Sequence, residues 1–463
     1  MLNRLPFKPA LILLFFVVTS FGQNGSTTAI DDYVRTEMSK QKIPGLALAI
    51  VKNGQIVLAR GYGFSNVEHQ VSVKPETIFQ SGSVGKQFTA TAIMMLVEEG
   101  KVGLDEKISK YLGEVPEAWN DMTVRHLLTH TSGLTDYPDD FDFRRDYNEE
   151  ELLKRAQAIK PAFKPGEKWQ YSNIAYLTLG ILIHKVTGQF YGDFLQDRVF
   201  KPLGMTSTRI ISEADIIPNR AAGYRIEKDQ LKNQNWVSPT LNTTADGALY
   251  FNVLDMAKWD AALYGETLLK QTSLRQMWTP VTLNNKKTYD YGFGWGVAQI
   301  NGHRLIEHGG AWQGFTTYIG RYIDDKVTVI ALDNLSGANP GKIARHVAAI
   351  YNPDLGRRAI PDNEPQVTAL VKDLLQQFRE GTADENLFTR EARAEVFPAR
   401  AQRMVRFLNL VGPLNKVELA EKSMKDGDRV YGYQLTFQNG VRFMRMSLTT
   451  DNKVSDLAFM DDF

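Results

Sequence analysis

Residues 77–100 read TIFQSGSVGKQFTATAIMMLVEEG, a short extended run that passes through Ser81-Gly82 into an apolar segment. Apolar side chains from Phe88 onward cover most of the circumference of a predicted helix, which indicates that this helix is buried and ends at Gly100. Ser83 therefore stands at the helix N-terminus, where free N–H groups and the helix dipole favour negative charge. Lys86 follows one turn later on the same face.

The pair of Ser83 and Lys86 predicts a nucleophile and its base. A serine hydroxyl is a weak nucleophile until a neighbouring group takes its proton. A lysine in a buried helix is suited to this, because loss of hydration lowers its pKa. The alternative is a serine that caps the helix, followed by a solvated lysine. That description is expected to hold for a second Ser-x-x-Lys, at Ser39 and Lys42, which has charged and amide neighbours.

The second motif is Tyr171-Ser172-Asn173, which lies between a Pro-Gly turn and a helix predicted over residues 174–186. A loop residue in this position is well placed to face a cleft. Tyr171 is a candidate proton relay, and the Asn173 amide is a candidate for orienting a substrate. The alternative for Asn173 is an ordinary helix N-cap. The similar pair Tyr250 and Asn252 is expected to be only the start of a structural helix.

The third motif, His308-Gly309-Gly310, precedes residues 311–320, whose aromatic and β-branched side chains predict a strand. Its two glycines leave the backbone open to close approach. The N–H group of Ala311 is then a candidate partner for that of Ser83 in binding an oxyanion. The alternative is a glycine-rich hairpin turn with an incidental histidine.

Taken in order, the three motifs resemble those of the serine β-lactamase and penicillin-recognising superfamily. The branch that they resemble most holds class C β-lactamases, D,D-peptidases, D-aminopeptidases and related esterases. Segments 124–134, 201–205 and 291–296 also resemble sequence patterns of that branch, so the resemblance spans roughly residues 30–350. It implies that Ser83 becomes acylated, Lys86 acts as base, Tyr171 relays a proton and Asn173 orients the substrate.

The third motif departs from this family pattern, because class C β-lactamases have Lys-Thr-Gly where this chain has His308-Gly309-Gly310. A lysine and a threonine suit a substrate carboxylate, whereas Gly309 has no hydroxyl and a histidine is only partly charged near neutral pH. The resemblance therefore implies a hydrolase of amide or ester bonds, peptidase-like or esterase-like rather than an efficient β-lactamase. A catalytically weak or idle module that binds peptidoglycan or β-lactams is the alternative.

The order of strand and helix patterns predicts an α/β (α+β) fold. An antiparallel sheet flanked by helices is built from both ends of the domain, with a helical lobe over residues 104–263. We expect the hydrolase domain to occupy residues 28–351, followed by a polar, proline-containing linker at 352–366. Residues 367–463 predict a small α+β domain with helices over 367–379 and 393–408. No group of its residues indicates chemistry, so a packing or partner-binding role is expected.

Residues 1–22 predict a signal peptide, because Arg4 and Lys8 precede a continuous apolar run and small residues follow it. The run is shorter than the ~20 residues of a membrane-spanning helix. We therefore expect an exported protein, periplasmic or secreted, without stable membrane insertion after cleavage. A net charge of +1 gives no basic surface for nucleic acid. The expected partner is a small-molecule or short-peptide substrate, and nothing indicates the oligomeric state.

Two histidines four residues apart, His126 and His130, are the sequence's best suggestion of a metal site. Leu127 stands where a helical zinc motif has glutamate, and two histidines alone are too few ligands. Neither a metal nor a cofactor is predicted.

Overall fold

The computed structural model describes residues 23–460, so the signal peptide predicted for residues 1–22 lies outside the described residues. None of the helices within this range combines the length and the apolar character that crossing a membrane requires.

The strands divide among a large sheet, a C-terminal sheet and small sheets around the cleft. In chain order they are β1 (Gly45–Lys52), β2 (Gln55–Asn66), β3 (Val71–Ser72), β4 (Phe79–Gln80), β5 (Arg209–Ile210), β6 (Tyr224–Glu227), β7 (Gln230–Asn233), β8 (Leu249–Phe251), β9 (Val281–Thr282), β10 (Thr288–Tyr289), β11 (Gly296–Ile300), β12 (His303–Trp312), β13 (Phe315–Tyr322), β14 (Val327–Asp333), β15 (Leu414–Lys425), β16 (Asp428–Phe437), β17 (Gly440–Leu448) and β18 (Val454–Met460).

The helices cover both faces of the large sheet, form the lobe and pack on the C-terminal sheet. In chain order they are α1 (Gln23–Gln41), α2 (Lys86–Glu98), α3 (Ser109–Leu112), α4 (Val124–Leu128), α5 (Glu149–Gln157), α6 (Asn173–Thr187), α7 (Tyr191–Leu195), α8 (Val253–Ala262), α9 (Gln271–Met277), α10 (Pro340–Tyr351), α11 (Pro365–Glu380), α12 (Arg390–Val396) and α13 (Ala399–Val411).

The large sheet is antiparallel, with the strand order β11-β12-β13-β14-β1-β2-β3. Strands from the two ends of the hydrolase region meet where β1 pairs with β14, as the sequence pattern predicts. Successive side chains of β1 point to opposite faces. Ala47 and Ala49 join the core beneath α8, whereas Leu46 and Leu48 join the core beneath α1 and α10. Because helices cover both faces, β1 is buried almost throughout.

The predicted fold class is confirmed: an antiparallel sheet, flanking helices and a helical lobe that contains α3 to α7. One strand prediction is wrong in detail. Residues 311–320 are not a single strand but the two arms of the β12–β13 hairpin, whose turn is Gln313-Gly314. The turn follows from Gly314, which adopts φ +78°, a backbone conformation open to glycine.

The C-terminal part forms an antiparallel sheet in the order β15-β16-β17-β18. Helices α11 to α13 pack on it around an apolar cluster of its own that includes Leu374, Leu408 and Tyr433. The helix predicted over 393–408 is wrong, since α12 ends at Val396 and α13 begins at Ala399. Pro398 breaks the run because it lacks an N–H group and restricts the residue before it. We propose the division into residues 28–351, a linker at 352–366 and residues 367–463.

Candidate active site

Ser83 lies in a 3-10 turn, Gly82–Gly85, that continues directly into α2 at Lys86. The side chain is half-buried, and its hydroxyl oxygen accepts a hydrogen bond of 3.0 Å from the Lys86 amino group. The turn places the serine at the start of the buried helix, as expected from the sequence. Its hydroxyl is therefore accessible from one side and in contact with the Lys86 amine on the other.

Lys86 is wholly buried and donates to three oxygens. These are the Ser83 hydroxyl at 3.0 Å, the Asn173 side-chain oxygen at 2.6 Å and the backbone carbonyl of Asp246 at 2.5 Å. Burial lowers the pKa of Lys86 to about 8, although the nearby charges of Asp246 and Asp136 act in the opposite direction. The amine consequently has an appreciable neutral fraction near neutral pH, and in that form it can accept a proton.

Asn173 is not the cap of its helix, so the N-cap alternative is wrong. The cap of α6 is Ser172, whose hydroxyl accepts from the N–H of Ala175 at 3.1 Å. The Asn173 side chain is therefore not used to cap α6 and is available to the active site. Its oxygen accepts from Lys86, and its nitrogen donates to the Asp136 carboxylate at 3.0 Å. Asn173 thus links the buried amine to an exposed acidic residue.

The Tyr171 ring lies between Lys86 and the histidines of the site. The Lys86 nitrogen is 5.0 Å from the ring centre, and the ring packs against that of His130 at 4.3 Å. Burial raises the pKa of Tyr171 above its ordinary value, and the nearby Ser83 hydroxyl lowers it by less. Among the described residues, no partner meets hydrogen-bond geometry with the Tyr171 hydroxyl. Tyr171 is therefore a neutral phenol whose hydroxyl faces the serine.

His308, Gly309 and Gly310 lie inside β12, so the hairpin-turn alternative is wrong. The strand passes close to the serine turn. A methyl group on Gly310 would overlap the Ser81 carbonyl and lie 3.0 Å from the Ser83 nitrogen. A methyl group on Gly82 would overlap the backbone nitrogen of Ala311. The absence of both side chains brings the two backbones together.

The register of the hairpin determines the direction of the Ala311 N–H group. Trp312 pairs with Phe315 across the two-residue turn, and Ala311 is opposite Thr316. Bonded and non-bonded pairs alternate along an antiparallel ladder, so the N–H of Ala311 is directed away from β13. It therefore faces the side on which the serine turn packs, as expected for an oxyanion donor.

A buried hydrogen-bond chain links the second and third motifs, and sequence reasoning did not find it. The Ser172 N–H donates to His130 Nδ1 at 3.2 Å, which leaves His130 Nε2 to pair with the Tyr291 hydroxyl at 3.2 Å. Tyr291 also contacts His308 Nε2 at 2.9 Å, and His308 Nδ1 lies 2.6 Å from the carbonyl of Gly309. Every contact is satisfied when both histidines are neutral.

The pKa values agree with this neutral assignment. Burial lowers the pKa of His308 to about 4 and that of His130 well below its ordinary value, and Lys86 lowers both further. The segments 124–134 and 291–296, which carry His130 and Tyr291, resemble sequence patterns of the family. This resemblance is the feature of the sequence that could have indicated His130 and Tyr291 as site residues.

A cleft of about 930 Å³ opens over these groups. The predicted site residues on its wall are Ser83, Tyr171, His308, Gly309, Gly310 and Ala311. Lys86 contacts the serine from beneath this wall, and Asn173 contacts Lys86. The cleft continues along the sheet edge to Glu307 and Arg345, which form an ion pair. All the residues singled out by the three motifs therefore meet at one place.

The rival motifs lie elsewhere. Ser39 is exposed, and Lys42 pairs with Asp229 on the surface. Asn252 caps α8 by accepting from the N–H of Asp255 at 2.8 Å. His126 takes part in the capping box of α4 with Thr123. Within residues 23–460, no three His, Asp or Glu side chains are grouped so that they could hold a metal ion.

The sheet, the lobe and the serine–lysine pair between them define the class of serine hydrolases with a β-lactamase-like fold. The chain belongs to the β-lactamase family, whose family model, described as Beta-lactamase, matches residues 30–351. The resemblance, the fold and the assignment as a hydrolase are thereby confirmed.

Known relatives agree with this assignment. The chain is 32% identical to penicillin-binding protein 4* of Bacillus subtilis (strain 168) over 314 residues, which is 64% of this chain and 69% of that protein. The octameric penicillin-binding protein homologue from Pyrococcus abyssi superposes with a TM-score of 0.65 at 25% identity, covering 94% of this chain and 98% of that one. D-amino acid amidase from Ochrobactrum anthropi SV3 shares the fold, with a TM-score of 0.62 at 24% identity, over 72% and 97% of the two chains.

Proposed function

We propose that this protein is an exported serine hydrolase that cleaves amide or ester bonds through an acyl-enzyme on Ser83. The observation that carries the proposal is the 3.0 Å contact between the Ser83 hydroxyl and the wholly buried Lys86 amine. A buried amine with a pKa of about 8 is a competent base at neutral pH. The apolar run in residues 1–22 supports export.

In the proposed acylation step, neutral Lys86 takes the proton of Ser83 while the serine oxygen attacks the substrate carbonyl carbon. The carbonyl oxygen becomes an oxyanion, and the N–H groups of Ser83 and Ala311 stabilise it. The proton then passes to the leaving amine or alcohol as the scissile bond breaks. Water repeats the sequence on the acyl-enzyme, releasing the acid and restoring the serine.

Tyr171 relays the proton in this scheme as a neutral phenol. Burial raises the pKa of Tyr171, and Lys86 lies over the ring face and does not contact the oxygen, so a resting phenolate is disfavoured. In this scheme its hydroxyl, adjacent to Ser83, donates its proton to the leaving group, and Lys86 moves from the ring face to the phenol oxygen to replace that proton. Asn173 holds Lys86 through its oxygen, and in this scheme its amide nitrogen exchanges the Asp136 carboxylate for a substrate carbonyl, which it orients.

The charges around the cleft support substrates without a carboxylate beside the scissile bond. His308 is neutral, because burial lowers its pKa to about 4, and Gly309 has no hydroxyl. Asp136 adds a negative charge next to Asn173. A substrate carboxylate would therefore lose charge-assisted hydrogen bonds, each worth about 1.5–3 kcal/mol. Short esters and amides that lack this carboxylate fit the site better than β-lactams do.

Steady-state kinetics on three substrates tests the proposal. We expect kcat/KM to be higher for a p-nitrophenyl ester and a D-alanine amide than for nitrocefin. Gly309→Thr should raise relative nitrocefin turnover, because the nearest atom to a side chain added there is the Thr317 carbonyl at 3.8 Å. A wide preference for nitrocefin in the unmodified protein would overturn the substrate class. Stoichiometric acylation without turnover would instead favour the idle binding module.

A further inference from the structure

The C-terminal sheet contacts the hydrolase domain at one wall of the cleft. Thr288 and Tyr289 form β10, and the chain then bends at Asp290, where the Tyr291 N–H donates to the Tyr289 carbonyl at 2.7 Å. Thr288 and Asp290 contact the C-terminal sheet and its β15–β16 turn, Tyr289 stacks on Trp169, and Tyr291 contacts His308 in the active site. Four consecutive residues therefore join the two parts of the chain.

On the active-site side, Tyr291 is the middle of the buried hydrogen-bond chain, between His130 and His308. Tyr289 stacks on Trp169 with ring centres 4.0 Å apart and planes 12° apart. Trp169 is two residues before Tyr171 and packs near its ring. A displacement of this segment would thus reach both the strand that carries the glycines and the loop that carries the tyrosine.

On the other side, the Asp290 carboxylate is held by two cations. Lys425, at the end of β15, donates to one oxygen at 2.7 Å, and Arg445 on β17 donates to the other at 3.2 Å. The Asp290 side chain is 36% exposed, and those of Lys425 and Arg445 are 28% and 23% exposed. Partly exposed pairs are individually weak, but here two converge on one carboxylate.

A tight turn adds hydrogen bonds to the same segment. Asp426 and Gly427 connect β15 to β16, and both have positive φ, as a two-residue hairpin requires. The turn points the Asp426 carboxylate at Thr288, whose backbone N–H donates to it at 2.9 Å and whose hydroxyl donates at 3.2 Å. Lys425, Asp426 and Arg445 thus form a clamp on the segment.

We propose that this clamp, made by Lys425, Asp426 and Arg445, positions Tyr289 and Tyr291 for catalysis, so that the C-terminal domain is part of the working enzyme. The inference rests on the proposed function of the site. It replaces the expectation of a passive packing or partner-binding module. The three residues are positioning residues, since they act through the segment and do not touch the reacting groups.

Two clamp variants and two controls test this in the full-length chain. Asp290→Asn removes the charge with little change of shape, and Lys425→Met with Arg445→Met removes both cations. Lys425→Arg keeps the charge. Lys416→Met is the matched control, because Lys416 is also on β15 but pairs with Glu418 inside the C-terminal domain at 2.8 Å.

The readouts are amide hydrogen exchange of peptides covering residues 288–297, and kcat and KM on a p-nitrophenyl ester. Both clamp variants should exchange faster in that segment and lose roughly 10- to 100-fold in kcat, with a smaller change in KM, because small misplacements of catalytic groups are costly. Lys425→Arg should retain most of the activity, and Lys416→Met should match the unmodified protein. Activity that falls with salt only when Asp290 is intact would agree with an ionic clamp.

The inference is overturned if exchange in the segment is unchanged, or if exchange rises while kcat stays the same. The proposed function fails separately, if the unmodified protein shows no turnover that depends on Ser83. In that event hydrogen exchange alone decides whether the C-terminal domain holds the segment.

Discussion

The amino nitrogen of Lys86 lies 3.0 Å from the hydroxyl oxygen of Ser83, at the start of a helix whose first residue is the lysine itself. The amine has no solvent exposure, and burial lowers its pKa to about 8. Its other partners are an amide oxygen and a backbone carbonyl, neither of which carries a full charge. This environment suits Lys86 to the proposed role of base without the help of a histidine.

The pH dependence of catalysis should report on Lys86. We expect kcat/KM for an uncharged p-nitrophenyl ester to rise with pH through an apparent pKa of about 8, because only the neutral amine accepts the serine proton. Asp136 raises the pKa of Lys86, so Asp136→Asn should move this rise in kcat/KM to lower pH. If the rise in kcat/KM of Asp136→Asn moves to higher pH or does not move, the rise reports the titration of a group other than Lys86.

Lys86 and Tyr171 should prove to act as a unit. Lys86→Ala and Tyr171→Phe are each expected to lower kcat by roughly 10²–10⁴, the usual range for general acid–base groups. Their combined effect should be less than the product of the two, because groups that share one proton transfer are not additive. A double-mutant cycle with full multiplicativity would mean that the two residues work independently.

The close approach of β12 to the serine turn predicts a difference between two neighbouring glycines. Gly310→Ala should lower kcat by about 10²–10³, comparable to the loss of one oxyanion donor, since the added methyl group overlaps the Ser81 carbonyl. Gly309→Ala is the comparison, because the nearest atom to its methyl group is 3.8 Å away. Its effect on kcat should be much smaller. Equal losses of kcat in Gly310→Ala and Gly309→Ala would indicate that the oxyanion donors do not lie where β12 approaches the serine turn.

The buried chain between the histidines should contribute to stability. Tyr291→Phe leaves the buried His308 Nε2 without its 2.9 Å partner, and we expect unfolding free energy to fall by about 1–3 kcal/mol in urea denaturation. Tyr322→Phe is the control, since the Tyr322 hydroxyl is buried without a hydrogen-bond partner in the described part of the chain. That change should be nearly neutral. A larger loss of unfolding free energy in Tyr322→Phe than in Tyr291→Phe would show that the hydrogen-bond chain does not stabilise the protein.

The parts of the site that the sequence predicts are those fixed by local geometry. Ser83 and Lys86 are one turn apart, and the composition of the following helix indicates its burial, so both position and environment follow from adjacent residues. The assignment of the motifs to one cleft came from the predicted order of sheet and lobe, which puts Ser83 and Tyr171 at the lobe edge and His308 at the sheet edge.

The remaining features depend on contacts between distant residues. His130 and Tyr291 are 161 positions apart, and Thr288 and Asp426 are 138 apart. No periodicity or spacing indicates such pairs, because the fold brings them together. The two wrong predictions, a strand over 311–320 and a helix over 393–408, have a different cause. The Gln313-Gly314 turn and Pro398 were both visible in the sequence as breakers.

The most direct test of the central claim is peptide mapping after the protein is treated with a fluorophosphonate probe. We expect a single adduct on the peptide that contains Ser83. The adduct should be lost in Ser83→Ala, with an unchanged thermal unfolding midpoint, and retained in Ser39→Ala, whose serine is exposed and away from the cleft. An adduct on another residue, or one that persists in Ser83→Ala, would contradict the assignment of Ser83 as the nucleophile.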